Sequence, residues 1–217
     1  MDGPIKPSDG QELWKIREAF IIQNYPEAQA VDYERLSYRE ILKIKSIPAD
    51  SQIYCWFEED LFCQVNLWFI FNYLQSHPAE VNLVLPYPES PYDFSVMKEK
   101  ELIERFAKKS KKLSQRERAV LGDLWGHFQN NNVFEAVEIA NLFPERFPFL
   151  KPAVESWRDM MPIGDYPGKP KATILDIERE IGPTSFTDLF TEFQKRLPEY
   201  GFGDLQVRRM CRELGIA

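Results

Sequence analysis

The sequence predicts an α/β protein: a small parallel sheet covered by helices, followed by a C-terminal three-helix, helix-turn-helix-like bundle. Three observations carry that expectation. The stretch Gln52 to Leu74 runs from an apolar pentad (Ile53, Tyr54, Cys55, Trp56, Phe57) through three acids (Glu58, Glu59, Asp60) into a segment apolar almost all the way round. That order reads as a buried strand, an acidic turn and a buried helix. A second short apolar run, Val81 to Leu85, is closed by Pro86 and Pro88, and strand, helix and strand together make a right-handed βαβ unit. From Val96 onward the pattern is helical throughout.

Ahead of the central unit, Pro4 and Pro7 mark an irregular start. Gln11 to Gln23 then places Leu13, Ile16 and Phe20 at helical spacing, with Pro26 beyond. Glu34 to Lys45 repeats the pattern more loosely through Leu36, Ile41, Leu42 and Ile44 until Pro48 stops it. The central helix breaks at His77-Pro78. Both strands read as buried on two faces, which belongs inside a covered sheet. Two strands are too few for that, so the sheet needs either weaker strands in the N-terminal region or a partner outside the chain.

Downstream, Val96–Lys109, Ser114–Phe128 and Asn132–Leu142 read as helices, the second opened by a Ser114/Glu117 capping box. Phe147, Phe149, Leu150, Val154 and Trp157 mark an aromatic helix that packs back on the core. Met161 to Lys171 holds three prolines and two glycines, placing a linker at 162–171 between a domain at 1–161 and a bundle at 172–217. Within the bundle the helices are Thr173–Ile181, ended by Gly182-Pro183, Phe186–Leu197 under a Ser185 cap, and Gly203–Leu214.

Composition bounds the function classes. The chain has 217 residues, 44% hydrophobic and 28% charged, enough for one full domain and a smaller unit. Its apolar runs fall short of a membrane span, and MDGPIKPSDG lacks a signal peptide's basic start and apolar core. Three cysteines (Cys55, Cys63, Cys211) cannot all pair, which favours reduced thiols and a cytoplasmic protein. A net charge of −7 argues against nucleic acid or anionic membranes as partners. Lys98 to Arg118 departs from this with nine basic and four acidic residues, read as a solvated helix face.

The central residues resemble the bacterial domain-of-unknown-function family 1835. The resemblance is carried by Trp56-Phe57-Glu58-Glu59-Asp60-Leu61-Phe62-Cys63-Gln64-Val65-Asn66-Leu67. Further matches are Arg17, Phe20, Trp125, Pro148-Phe149-Leu150 with Ala153, Thr184-Ser185-Phe186 to Leu189-Phe190, and Phe202-Gly203-Asp204. It implies a fold but no activity. It also implies that an N-terminal strand segment of the family is absent, since the chain starts at what resembles that segment's end, Asp2-Gly3-Pro4. Gly168 to Ile174 matches the family pattern weakly.

Glu58, Glu59 and Asp60 lie just past the carboxyl end of a strand, where an α/β sheet binds ligands, and Gln64 sits one turn into the helix. Adjacent carboxylates can raise one another's pKa or hold a divalent cation. The same acids also suit a structural task, with Asp60 capping the helix. The leading expectation is a ligand-binding or regulatory module with its crevice at this turn and a small molecule as partner. The alternative is a metal-assisted hydrolase using Asp60 and Glu59. A third reading is DNA binding through Arg208, Arg209 and Arg212, opposed by the seven basic and eight acidic residues of Pro170–Ala217. No metal site is expected from two distant histidines, His77 and His127, and Cys55 and Cys63 read as small buried hydrophobes. No phosphate-loop, dinucleotide or nucleophile-elbow motif occurs, so no cofactor is named, and Gly201-Phe202-Gly203-Asp204 reads as a turn entering a helix. An incomplete sheet leaves an exposed edge through which a homodimer could pair.

Overall fold

The helix at the centre, α3 (Leu61–Leu74), buries Leu61, Gln64, Val65, Leu67, Trp68, Phe69, Phe71 and Leu74, and leaves only a half-buried stripe through Phe62, Cys63, Asn66, Ile70 and Tyr73 and an exposed Asn72. A helix apolar over most of its circumference must be covered on most sides. The computed structural model describes residues 3–5, 11–25, 32–182 and 185–216. The expected breaks at Pro7, Pro26 and Pro183, and the matched residues Asp2 and Thr184, lie outside them.

Strand β1 (Gln52–Trp56) precedes α3, and β2 (Glu80–Val84) follows and pairs parallel to β1, Gln52 opposite Glu80 and Cys55 opposite Leu83. This is the expected βαβ unit, its strands one residue earlier at each end. A third strand, β3 (Lys111–Lys112), pairs antiparallel to β2, giving a small mixed sheet in the order β1-β2-β3. The missing strand therefore comes from the basic segment after β2. Lysines there gave no strand signal, because what joins them to β2 is backbone bonding, with Leu113 N–H donating to Val81 O at 2.9 Å, and an ion pair from Lys112 to Glu80.

The other covers come from four directions. Helix α1 (Gln11–Asn24) brings Trp14 to within 6.0 Å of the Phe69 ring. The segment Glu34–Ser46 winds as a π turn, a short helix α2 (Arg39–Lys43) and a 3₁₀ turn. Helix α4 (Glu99–Glu104) passes into a π turn through Lys109 and shields the sheet's outer face, with the Phe106 ring 4.5 Å from Tyr54. Helix α5 (Gln115–Asn130) opens with the Ser114/Glu117 capping box and lies against α3. Their approach is close enough that a Cβ on Gly122 would sit 2.9 Å from the Phe71 carbonyl oxygen. Arg118 belongs to no solvated face. It is buried, and its Nη1 donates to the carbonyls of Leu74 (3.2 Å), His77 (2.6 Å) and Ala79 (3.5 Å), closing the end of α3.

Helices α6 (Val133–Asn141) and α7 (Leu150–Met160) complete this half, with Trp157 6.3 Å from Trp68. Helix α8 (Lys169–Ile181) starts inside the expected linker, with Pro170 in its first turn, where proline's missing N–H costs nothing. Helices α9 (Phe186–Arg196), capped by Ser185, and α10 (Asp204–Glu213) follow. Ile174, Ile177, Leu189, Phe193, Tyr200 and Val207 join the same hydrophobic cluster as Phe149, Trp157 and α3. One core thus runs through both halves of the chain.

Candidate functional site

Parallel strands bring the residues after β1 and the residues after β2 to the same edge of the sheet. The acidic turn Glu58–Asp60 and the loop 85–94 therefore lie side by side, and backbone groups join them. Glu59 N–H donates to Pro91 O at 2.8 Å, and Phe94 N–H donates to Glu58 Oε1 at 2.7 Å.

Asp60 caps α3. Its backbone is extended (φ −69°, ψ 159°) and its Oδ1 accepts from Cys63 N–H at 2.9 Å. Yet Asp60 is only 2% exposed, because Gly201 of the C-terminal half packs on its carboxylate. Gly201 has φ +62°, and a Cβ there would overlap Asp60 Oδ1 and Cγ. Cys63, one turn along, points its thiol back to Glu58 Oε2 at 3.7 Å. The ligating atoms of Glu58, Asp60 and Cys63 all lie within 4.8 Å of one another, the only such group among the described residues.

The four expected residues therefore separate. Glu58 and Asp60 line a crevice of about 820 Å³, together with Cys63. Glu59 does not line it; the charges acting on its carboxyl are Lys111 and Arg105. Gln64 is fully buried behind the turn, its Nε2 donating to Glu58 O at 2.8 Å while its Oε1 has no partner among the described residues. Sequence reasoning missed Cys63, although its i+3 spacing from the capping Asp60 was the available signal. It also missed the far wall: Phe193, Gln194, Leu197 and Pro198 at the end of α9, and Gly201–Gly203.

Burial is the first cause of the electrostatics. It pushes the Glu58, Glu59 and Asp60 carboxyls above their ordinary values, against the Phe94 N–H at Glu58, the Lys111 and Arg105 charges at Glu59, and the Cys63 N–H at Asp60. The Cys63 thiol is pushed up to about 12, first by burial and then by the Asp60 charge, so it stays protonated at neutral pH. Burial alone takes Cys55 to about 12 as well. Among the described residues four carboxylates line the crevice (Glu58, Asp60, Glu89, Asp93) and no lysine or arginine does. Phe62, Tyr92, Phe193 and Phe202 supply aromatic wall.

The three arginines of α10 are engaged within the chain. The Arg208 guanidinium lies 3.8 Å over the Phe186 ring, Arg209 pairs with Glu213, and Arg212 Nη2 donates to Asn24 O at 3.1 Å. His77 Nδ1 accepts from Ala79 N–H at 3.2 Å, and His127 lies on α5, in neither case beside the crevice.

Fold and site together define a mixed α/β protein with an acidic, aromatic-walled crevice at the carboxyl edge of its sheet. No protein-family model matches the chain, and neither a curated protein nor a solved structure matches it. No helix among the described residues is long and apolar enough to cross a membrane.

Proposed function

We propose that the chain is a binding or regulatory module whose crevice takes an organic cation, an amine or quaternary ammonium. The observation that carries this reading is the lining: among the described residues, four carboxylates, no basic side chain and four aromatic rings around about 820 Å³. Aromatic faces attract cations, and a cavity of this size suits a small molecule. A buried carboxylate without a cation is costly, and an ammonium group in contact with Asp60 and Glu58 offsets that cost.

A second reading rests on a different observation. Glu58, Asp60 and Cys63 present three ligating atoms within 4.8 Å of one another, a set that a thiophilic divalent ion could close on. A hydrolase built on Asp60 and Glu59 draws less support, since those two side chains lie on different sides of the turn. The arginines of α10 support packing rather than a DNA contact, and the resemblance to family 1835 remains a proposal of ancestry.

A thermal-shift series tests the first reading, because ligands that bind only the folded state raise the melting temperature. Putrescine, spermidine and choline are expected to raise it in wild type and to lose the effect in Glu58→Gln and Asp60→Asn. Shifts from zinc but from no amine would move the assignment to the metal reading. Amine shifts that survive both substitutions would refute the crevice as the site.

A further inference from the structure

Beside the acidic crevice, and sharing Phe62 and Gly203 with it, lies a second cavity of about 630 Å³, walled by α1, the segment 33–41, α3 and the first residues of α10. Its wall is mainly apolar: Ile21, Leu36, Ile41, Phe69, Ile70 and Leu205 among others. Two buried donors sit one turn apart on α1 in this wall. Arg17 is 6% exposed, and its Nε donates to the Tyr33 hydroxyl at 3.1 Å and its Nη1 to Pro4 O at 3.2 Å. Both acceptors are neutral, and among the described residues Arg17 forms no ion pair. The Trp14 indole N–H is buried and has no acceptor among the described residues.

A guanidinium buried without a counter-charge is expensive, and the remaining N–H groups of Arg17 have no protein partner among the described residues. We propose that this cavity binds an amphipathic monocarboxylate, its apolar body along the α1–α3 wall and its carboxylate on Arg17. One guanidinium balances a single negative charge. Glu40, paired with Lys43 at 2.7 Å, and Asp204 are both exposed residues of the lining, and they disfavour a dianionic head such as a phosphate. The ligand class is opposite in charge to that of the acidic crevice, and the inference stands independently of it.

Calorimetric titration with dodecanoate, 1-dodecanol, dodecyl phosphate and dodecyltrimethylammonium, each below its micellar concentration, tests this. Dodecanoate should bind wild type tighter than the alcohol by about ten-fold or more, the worth of one charge-assisted hydrogen bond. Arg17→Gln should remove that preference and leave the alcohol's affinity unchanged. Leu36→Trp, at a residue 51% exposed and therefore tolerant, should weaken both by narrowing the cavity. Equal affinity for acid and alcohol, absence of binding, or tighter binding of the phosphate or the ammonium would overturn the proposal. So would an undiminished preference in Arg17→Gln. If circular dichroism shows that variant unfolded, Leu36→Trp decides: dodecanoate binding that it leaves unchanged lies elsewhere, and the proposal fails.

Discussion

Gly201 and Asp60 are far apart in the chain but in direct contact, and a double-mutant cycle on the pair tests how the two halves meet. In Gly201→Ala the new Cβ meets Asp60 with its Oδ1 and Cγ well inside van der Waals contact and its Cβ at 3.1 Å. Asp60 cannot swing away without giving up the bond from Cys63 N–H. The substitution should cost about 1–2 kcal/mol for a side chain at φ +62° and about 1–3 kcal/mol more for the overlap. Asp60→Ala alone should cost about 1–2 kcal/mol as a lost cap, less whatever the removal of a buried carboxylate returns. With Asp60 truncated the overlap largely vanishes, so Gly201→Ala in that background should cost only the backbone contribution. The double variant is then more stable than the sum of the singles by about 1–3 kcal/mol. Urea denaturation followed by far-UV circular dichroism measures all four corners. Additivity within about 0.5 kcal/mol would show that the glycine does not press on the carboxylate, and the account of the crevice's shared wall would fall.

Four further outcomes follow from the structure. Arg118→Met removes the donor that closes three carbonyls at the end of α3, and should lower unfolding free energy by about 2–4 kcal/mol; a loss under 1 kcal/mol by the same assay contradicts that role. Gly122→Ala forces α3 and α5 apart and should cost about 1–2 kcal/mol despite alanine's better helix propensity, whereas a stabilised variant would mean that the helices do not cross this closely. Asp60 holds its proton more tightly in the folded state than in the unfolded chain, so its contribution to stability is full below the ordinary carboxylate range, about pH 4, and falls as pH rises through the raised folded value. Asp60→Asn should accordingly gain on wild type as pH rises through that interval, and a difference independent of pH refutes the burial. Finally, β1 is an edge strand, with Trp56 40% exposed and no backbone partner on its outer side among the described residues; we expect two copies to pair there, and light scattering that gives a monomer at every concentration would rule it out.

Much of the fold is legible in the sequence because periodicity reports burial. Leu61–Leu74 is apolar almost all round and is covered on most sides, and Ser114 with Glu117 and Ser185 form the caps their spacing implies. What stays hidden is whatever depends on backbone pairing or on distant chain. Lys111–Lys112 has no strand signature because backbone hydrogen bonds and an ion pair from Lys112 to Glu80, not apolar burial, join it to β2. Helix α8 begins at Lys169 inside a run of prolines and glycines because proline is tolerated in a first helical turn. At the site, the carboxylates are visible as a local string, but alternate residues of a turn point to different sides. That geometry separates Glu59 from Glu58 and Asp60, and no count of acids reveals it.

The burial of Asp60 bears on whether the turn is only structural. Serine and asparagine cap a helix about as well as aspartate and bury no charge in doing so. The chain itself uses serine for this at Ser114 and Ser185, both at exposed helix starts. At α3 it instead places a carboxylate 98% out of solvent, with Glu58 and a protonated thiol beside it and no cation in the wall. Desolvation penalises that ion while the cap returns only about 1 kcal/mol. A cap explains the bond to Cys63 N–H but not the choice of the most costly residue able to make it. Under the proposed reading a cationic ligand would supply the missing stabilisation, and only when the crevice is filled.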